Sequence, residues 1–239
     1  MIMNKKRKFQ ETIFCFLMLI TMTVLSGAQE VVGYWKFDKK GREFESLEGS
    51  SGVATVQPAE PNSILPLVVD SIGSLKQVIQ FDGSGNAWIS TPAKMTEADF
   101  SVELWIKVDA NNQDALVLGN VSGIMIMARP KGTLAFFLGL EDGGAQWSYV
   151  QIPEAITPDS WLHVMARVSD KTQQLFVEHD GKLLKSQAVT VNNLKSYNWP
   201  MTVLGINVFD RSCPFQGRIA ALKIYSGALS ETDFKKSTP

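Results

Sequence analysis

The best candidates for acid–base catalysis in this sequence are three carboxylates within a short span, Glu97, Asp99 and Glu103. Hydrolysis of a glycosidic bond needs two carboxyl groups about 5–9.5 Å apart across the sugar. Glu97 and Asp99, however, precede the strand-like stretch 100–108, and Glu103 lies opposite the apolar row of that stretch. Because this spacing breaks the period of two that would align the side chains, we interpret them as structural and expect no catalytic residue.

The histidines and Cys213 lack the context of reactive groups. His163 lies inside the stretch WLHVMARV (161–168), His179 ends another apolar stretch, and neither has a neighbour at metal-ligand spacing. No serine lies in a nucleophile elbow, so we favour a hydrogen-bonded structural role for His163 over a triad. Cys213 is predicted to be a small packed residue, with pairing between chains as the alternative.

Aromatic residues near polar ones are better candidates for a site. A sugar ring offers both C–H faces and hydroxyls, so a sugar site needs exposed aromatic faces with polar groups nearby. The segments EDGGAQWSY (141–149), NNLKSYNWP (192–200) and NVFDRS (207–212) fit this requirement. The alternative is that these rings cover loop ends or the rim of the domain. The candidate ligand-binding residues are Trp147, Tyr149, Tyr197, Trp199, Asp210 and Arg211.

The N-terminal segment has the pattern of a cleaved signal peptide. A basic stretch, Lys5 to Lys8, precedes 13 apolar-rich residues from Ile13 to Leu25, and small residues before Gln29 suit a cleavage site. A membrane span needs about 20 residues, so an uncleaved anchor is the alternative and no other stretch is long enough. We therefore predict a signal peptide at 1–28, a single domain at 29–239, and a secreted, periplasmic or cell-surface location.

The charge and cysteine content narrow the function classes. Residues 1–28 contain four of the 23 basic and one of the 24 acidic residues, which leaves a net charge of −4 after cleavage. Nucleic acid is excluded as a partner because phosphate binding needs clustered Lys and Arg. Cys15 lies in the signal segment and Cys213 is the other cysteine, so no intramolecular disulfide is expected and the core must hold the fold.

The remaining sequence predicts an all-β domain, because strand-like alternation recurs with turn residues between the stretches. In FSVELWIKV (100–108), alternate residues from Phe100 to Val108 are apolar and predict a buried face, and the residues between them predict an outward face. Hairpins are predicted at 130–132, at Asp180-Gly181 and at 82–85. The region 43–66, rich in Ser, Gly, Glu and Pro, is predicted to be a surface loop.

Six segments in order resemble a known family. They are GYWKFD (33–38), IQFDGSGNAWIST (79–91), FSVELWIKV (100–108), WLHVMARV (161–168), LFVEHDGKLL (175–184) and FQGRIAALKIYSGALSETDF (215–234). Together they resemble the laminin G-like jelly roll of the concanavalin A-like lectin/glucanase superfamily. The resemblance implies a two-sheet antiparallel β-sandwich that ends in a short capped turn, with Ser230 as the cap and Leu229 and Phe234 as a hydrophobic staple.

The resemblance also bears on metal and catalysis. The family commonly has Asp-Glu where this chain has Ala220-Ala221, which argues against calcium; Asp38 and Asp82 are the weak candidate ligands, and no other cofactor is expected. Glucanases of the superfamily carry Glu-x-Asp-x-x-Glu, which the run from Glu97 to Glu103 exceeds by one residue. In the last strand, Ala220, Leu222 and Ile224 are predicted to face the core.

These observations predict an exported, non-catalytic binding domain whose ligand is extracellular glycan. A protein-interaction or cell-surface assembly module, bound to an extracellular protein, is the alternative. A glycoside hydrolase or polysaccharide lyase of the same superfamily is a third hypothesis.

Overall fold

The computed structural model describes residues 29–49, 52–58, 64–92, 99–109, 113–119, 123–141, 146–194 and 201–239. Within these ranges the chain forms two antiparallel β-sheets and one short α-helix, α1 (Glu231–Lys236). The predicted all-β sandwich is therefore confirmed. No helix of the described residues is long and apolar enough to cross a bilayer.

The first sheet, called the nine-stranded sheet, contains the predicted core strand 100–108 at its centre. Its strands are β1 (Glu30–Lys36), β4 (Leu67–Ile72), β5 (Leu75–Asp82), β7 (Phe100–Val108), β12 (Trp161–Ser169), β13 (Thr172–His179), β14 (Lys182–Lys185), β15 (Val189–Thr190) and β17 (Gln216–Ser226). Their main order in the sheet is β14-β13-β12-β7-β17-β5-β4, with β1 also paired to β17 and β15 paired to β13.

The second sheet, called the eight-stranded sheet, has the order β11-β10-β9-β8-β16-β6-β3-β2. Side chains of alternate positions in both sheets meet between them and form the core, which includes the fully buried rings of Trp35, Phe81, Phe100 and Phe136. The strands are β2 (Glu43–Glu45), β3 (Val53–Pro58), β6 (Ala87–Thr91), β8 (Ala115–Gly119), β9 (Ile124–Arg129), β10 (Thr133–Gly139), β11 (Trp147–Ile152) and β16 (Thr202–Leu204).

Two predicted hairpins are confirmed. Strands β9 and β10 join through a short 3-10 turn, Pro130–Gly132, in which Lys131 and Gly132 have φ of 60° and 70°. Strands β13 and β14 join through Asp180 and Gly181, with φ of 49° and 73°. Residues with short or absent side chains tolerate positive φ, which is why Asp-Gly predicts this turn.

The predicted hairpin at 82–85 is wrong. Strand β5 belongs to the nine-stranded sheet and β6 to the eight-stranded sheet, so this loop carries the chain from one sheet to the other. The Asp82 carboxylate accepts hydrogen bonds from the backbone N–H and hydroxyl of Ser84, at 2.9 and 2.6 Å. Asp-Gly therefore predicted a turn here correctly, but the strand that follows pairs with β16 and β3 instead of β5.

The predicted surface loop at 43–66 is also wrong in part. It contributes β2 and β3, which pair with each other and extend the eight-stranded sheet beyond β6. Phe44, Ala54 and Val56 are buried in the intersheet core, and the Phe44 ring contacts Phe37 edge to face at 5.2 Å between centroids. Burial of Phe44 on β2, and of Ala54 and Val56 at alternate positions of β3, stabilises these short strands despite their polar sequence.

The C-terminal segment 229–239 covers part of the outer face of the nine-stranded sheet. The Ser230 hydroxyl accepts from the Asp233 N–H at 3.1 Å, and Leu229 and Phe234 pack in one cluster with Met165 and Phe176, so the predicted cap and staple are confirmed. This segment bonds to Ser101 and Glu103 of the outward row of β7, and both are fully buried instead of exposed. Trp105, in the same row, is nearly buried in a separate outer cluster with Tyr34.

A β-bulge near the middle of β17 corrects the predicted core row of that strand. The register with β7 shifts between Ile219 and Ala221, so Ile219 joins Leu222 and Ile224 in the intersheet core. Ala220 and Ala221 instead pack in a separate outer cluster that contains Tyr34 and Trp105. One extra residue in a bulge reverses the faces of the residues before it, which alternation alone cannot show.

Candidate functional site

The outer surface of β9, β10 and β11, called the aromatic face, carries two of the predicted binding residues. Trp147, Tyr149 and Gln151 alternate with residues that point into the sandwich, where Val150 and Ile152 join the core. Ser148, also inward, donates to the Gln173 side chain of the nine-stranded sheet at 2.7 Å. The period of two therefore presents Trp147 and Tyr149 on the outside of the eight-stranded sheet.

A pair of stacked rings lies in the middle of the aromatic face. Tyr149 opposes Phe137 of β10, with centroids 5.5 Å apart and ring planes inclined by 27°. Tyr149 is 52% exposed, although it is a large apolar ring. The Arg129 guanidinium lies 5.9 Å from the centre of the Phe137 ring. The stack offers an apolar platform with a cationic donor beside it, which suits a ligand that has both C–H faces and hydroxyls.

A groove of about 250 Å³, called the hydrophobic groove, adjoins this stack. Trp147 forms part of one wall, and Phe209, which is 59% exposed, forms part of another. The floor is contributed by outward residues of β8, β9 and β16. Large exposed rings at a concave site are what a stacking ligand requires, whereas isolated exposed rings are common on protein surfaces. The lining residues are Leu116, Gly119, Met125, Trp147, Val203, Ile206, Asn207, Val208 and Phe209.

Asp210 and Arg211 have a different place from the one that their sequence neighbourhood indicated. The Asp210 carboxylate accepts the Ser212 N–H at 2.9 Å, and the hydrogen bonds from Ser212 lower its pKa from the ordinary value. Arg211 is exposed with a φ of 56°, and neither residue lines the hydrophobic groove. The loop thus uses Asp210 to hold its own turn and presents Phe209 to the groove.

A second depression, called the polar cleft, lies at the other end of the aromatic face. It measures about 460 Å³ and lies between the start of β8 and the hairpin turn that joins β9 to β10. The Arg129 Nε contacts the Asp114 carboxylate at 3.2 Å, with both side chains partly exposed. The cleft therefore presents a donor and an acceptor side by side. It is lined by Asp114, Arg129, Pro130, Thr133 and Gln151.

Sequence reasoning missed Phe137, Phe209 and Arg129 as site residues. Strand β10 reads TLAFFLG, in which both faces are apolar, so alternation alone does not single out Phe137. The sequence analysis selected Asp210 and Arg211, the charged neighbours of Phe209, and not Phe209 itself. Tyr197 and Trp199, two of the predicted site residues, lie outside the described residues, as do residues 1–28 and Glu97.

The weak metal candidates do not gather into a site. In the described ranges no group of three or more His, Cys, Asp and Glu side chains could hold a metal ion. Both hydrogen bonds from Ser84 engage the Asp82 carboxylate, and the hydroxyl bond is the main reason that its pKa lies below the ordinary value. A turn role thus accounts for Asp82, and the absence of a metal stays a prediction.

The other candidate catalytic groups form a buried network under the C-terminal segment. The Glu103 carboxylate lies 2.7 Å from His163 Nε2 and accepts from the Tyr225 hydroxyl at 2.8 Å and from the Ser237 hydroxyl at 3.0 Å. The His163 ring is sandwiched between Trp105 and Phe234, at centroid distances of 4.4 and 4.0 Å. His163 is therefore hydrogen-bonded and packed, as expected of a structural histidine, and the absence of a catalytic role stays a prediction.

Cys213 and Asp99 also have structural surroundings. Cys213 is a half-buried free thiol with a φ of 53°, and its carbonyl accepts the Leu116 N–H at 2.8 Å. The Asp99 carboxylate accepts the Asp170 N–H at 2.9 Å and so ties the start of β7 to the turn between β12 and β13. Neither residue lines the hydrophobic groove or the polar cleft.

Solved structures share this fold. Domain 4 of AbnA, an extracellular GH43 arabinanase from Geobacillus stearothermophilus solved with arabinotriose, is 19% identical, with a TM-score of 0.65 over 87% of this chain and 98% of that one. A Trypanosoma rangeli sialidase mutant displaying trans-sialidase activity is 13% identical, with a TM-score of 0.58 over 86% of this chain and 32% of that one. A NanB sialidase mutant from Streptococcus pneumoniae is 14% identical, with a TM-score of 0.52 over 66% and 27%.

At these identities the likenesses concern the fold alone, and this chain spans about a third or less of the two sialidases. No curated protein matches the sequence. A laminin G family model, described as the concanavalin A-like lectin/glucanases superfamily, matches residues 82–234. This match covers more than half of the chain, which therefore belongs to the concanavalin A-like lectin/glucanases superfamily.

Proposed function

We propose that this protein is an exported, non-catalytic domain that binds glycan on the aromatic face. The observation that carries the proposal is the exposed stack of Tyr149 on Phe137 beside the groove that Trp147 and Phe209 line. Water solvates the exposed faces of these rings poorly, so stacking of a ring on the C–H face of a sugar is favourable. Nearby polar groups can form hydrogen bonds with the sugar hydroxyls. The similar arabinanase domain was solved with arabinotriose, which is consistent with such a ligand.

Export follows from the pattern of residues 1–28. A basic stretch, an apolar stretch too short for an ordinary span, and small residues before Gln29 are typical of a cleaved signal. We therefore propose that the mature protein is a single domain of residues 29–239 and that it is secreted, periplasmic or on the cell surface. N-terminal sequencing of the exported protein tests this boundary, and a mature chain that begins at Met1 would contradict it.

The non-catalytic part of the proposal is supported by the positions of the acidic groups. Glu103, the last carboxylate of the candidate run, is 0% exposed and is engaged by His163 and Tyr225 of the nine-stranded sheet and by Ser237 of the C-terminal segment. Among the described residues that line the two depressions of the aromatic face, Asp114 and Arg129 are charged, and these form one ion pair. Glycosidases need two carboxyl groups on either side of the bond. Absence of released reducing ends after long incubation with each bound glycan is the expected result.

A glycan array, followed by calorimetry on each hit, tests the binding proposal. We expect Trp147→Ala and Tyr149→Ala each to cost more than about 1 kcal/mol of binding free energy, a threshold that separates anchoring residues from passive contacts. That loss corresponds to a Kd at least about fivefold weaker. Because both rings are partly exposed, thermal unfolding of the variants is expected to change little.

Trp88→Ala is the matched control. Trp88 is a partly exposed tryptophan of β6 in the same eight-stranded sheet, but it does not line the hydrophobic groove. Its loss is expected to leave glycan affinity unchanged. Equal weakening by all three variants would indicate a general loss of structure, and unchanged affinity in Trp147→Ala and Tyr149→Ala would contradict the proposed site.

The alternative, a protein-interaction or surface-assembly module, is favoured by a different observation. Strand β4 forms an edge of the nine-stranded sheet, and Val69 within it is 84% exposed. An exposed apolar residue on a sheet edge is suited to strand addition by another chain. Val69→Lys would abolish such an association, measured by light scattering or by cross-linking to a cell surface, without affecting glycan binding.

A further inference from the structure

The hydrophobic groove and the polar cleft lie at opposite ends of one sheet surface. In β10, Thr133 lines the polar cleft, and Gly139 pairs with Trp147 of the hydrophobic groove. Six residue steps of a strand at about 3.3 Å each separate these two ends by roughly 20 Å. A single sugar ring cannot contact both ends, whereas a chain of several sugars can.

Exposed side chains lie between the two depressions. Ala135 of β10 pairs with Gln151 on one side and with Met127 on the other. Ala135 is 0% and Met127 is 9% exposed, so neighbouring side chains cover both, whereas Gln151 and Tyr149 are exposed. Tyr149 and Gln151 are alternate residues of β11, next to β10, and they offer contacts to an extended ligand between the two depressions.

Arg129 links the polar cleft to the aromatic stack in the middle of the aromatic face. Its guanidinium lies 5.9 Å from the centre of the Phe137 ring and its Nε lies 3.2 Å from Asp114. It therefore contacts both the aromatic stack and the acid of the polar cleft. A guanidinium held on two sides presents its remaining N–H donors in a defined direction, which suits a hydroxyl-rich ligand.

The charge of the two depressions is balanced. Among the described residues that line them, Arg129 and Asp114 are the charged ones and they neutralise each other. Hydroxyl groups can donate to Asp114 and accept from Arg129 at the same time. Because Asp114 already neutralises Arg129, a sugar carboxylate or sulfate would meet no net positive charge and would lie beside the like charge of Asp114, which is costly at a binding surface.

We infer that the ligand is a linear chain of neutral sugars that runs along β10 from the hydrophobic groove to the polar cleft, with the Arg129–Asp114 pair as a subsite for sugar hydroxyls. This inference rests on the proposed glycan binding and adds the length and the charge class of the ligand. It also assigns a binding role to Asp114 and Gln151, which sequence reasoning did not select.

Calorimetry with two ladders of oligosaccharides tests the inference on the full protein. The neutral ladder comprises gluco-, xylo- and arabino-oligosaccharides from the monosaccharide to the hexasaccharide, and the acidic ladder comprises oligogalacturonides of the same lengths. We expect affinity in at least one neutral series to rise with length and then to level off. Acidic chains of equal length are expected to bind at least about tenfold more weakly, since a like charge meets Asp114.

Asp114→Asn is the decisive variant, because it leaves Arg129 without its acid. It is expected to reduce or reverse the preference for neutral chains. Gln151→Ala is expected to weaken the binding of long chains more than that of monosaccharides. Glu45→Gln, which makes the same charge change on exposed β2 at the far edge of the sheet, is expected to leave both preferences intact.

The outcomes separate the two proposals. Affinity that does not depend on length, or equal binding of neutral and acidic chains, would overturn this inference and leave glycan binding in place. A loss of preference in Glu45→Gln equal to that in Asp114→Asn would also overturn it, because the effect would then follow net charge instead of the cleft. Failure of every glycan to bind would refute the proposed function itself.

Discussion

Replacing Glu103 with Ala is expected to destabilise the domain more than any surface substitution. Glu103 lies in the middle of β7, fully buried, on the outer face of the nine-stranded sheet. Its two oxygens lie within 2.7 to 3.0 Å of His163, Tyr225 and Ser237. The substitution removes the acceptor and leaves these three groups under the C-terminal segment without it.

The magnitude follows from burial and from the number of partners. A hydrogen bond to a charged group contributes about 1.5–3 kcal/mol, but the three bonds share one carboxylate and do not add. Each buried group that loses its partner costs about 1–3 kcal/mol, and Glu103→Ala leaves three such groups. We expect a loss of about 3–5 kcal/mol in the free energy of unfolding, which for a domain of this size lowers Tm by roughly 6–20 °C.

Urea unfolding followed by tryptophan fluorescence measures this loss. Tyr225→Phe removes one partner and keeps the ring, so a smaller loss is expected, and the double variant with Glu103→Ala should lose less than the sum of the two. Glu45→Ala, a change of an exposed glutamate on β2, should stay within about 0.5 kcal/mol of the original protein. A loss below about 1 kcal/mol for Glu103→Ala would refute the view that this carboxylate holds the C-terminal segment.

Three further predictions concern pH, capping and calcium. Burial, and then the charge of Glu103, raise the pKa of Tyr225 above its ordinary value of 10.0, so stability is expected to fall as the pH rises above about 10, where the unfolded chain loses this proton first. In urea unfolding at about pH 8 and pH 10.5, Tyr225→Phe should show a shallower fall, and an unchanged slope would contradict the assignment. Ser230→Ala removes the acceptor of the Asp233 N–H and should cost about 1 kcal/mol by the same assay, whereas no loss would mean that Phe234 packing alone holds α1. Thermal unfolding in excess calcium and in chelator should give the same Tm because Ser84 engages the Asp82 carboxylate, and a rise of several degrees in calcium would refute this.

Local chemistry explains which parts of the fold could be predicted from the sequence. The alternation in FSVELWIKV identified the central strand, and Asp180-Gly181 identified the hairpin of β13 and β14, because both depend on neighbours within a few residues. The cap at Ser230 and the staple of Leu229 on Phe234 are local for the same reason. Outward placement of Trp147 and Tyr149 is consistent with the period of two in β11.

Only the tertiary structure decided the features that depend on distant parts of the chain. The turn chemistry at Asp82 was evident, but whether the next strand joins the same sheet depends on pairing with β16, more than a hundred residues later. The row from Ser101 to Trp105 was expected to face outward. The C-terminal segment covers Ser101 and Glu103, and Trp105 packs in the outer cluster of Tyr34 and against His163. Alternation reports which residues share a face, and burial of that face is set by what folds over it.

The candidate site could likewise be predicted from the sequence only in part. Aromatic residues near polar ones pointed to the region of Trp147, whereas the grouping of Trp147 with Phe209, and of Arg129 with Asp114, needed the packed sheet. A concave surface is made by side chains from several strands whose order is set by long-range hydrogen bonds and by burial of the core between the sheets. The sequence by itself thus determined the kinds of residue that could bind a sugar, and the tertiary structure decided which of them share one surface.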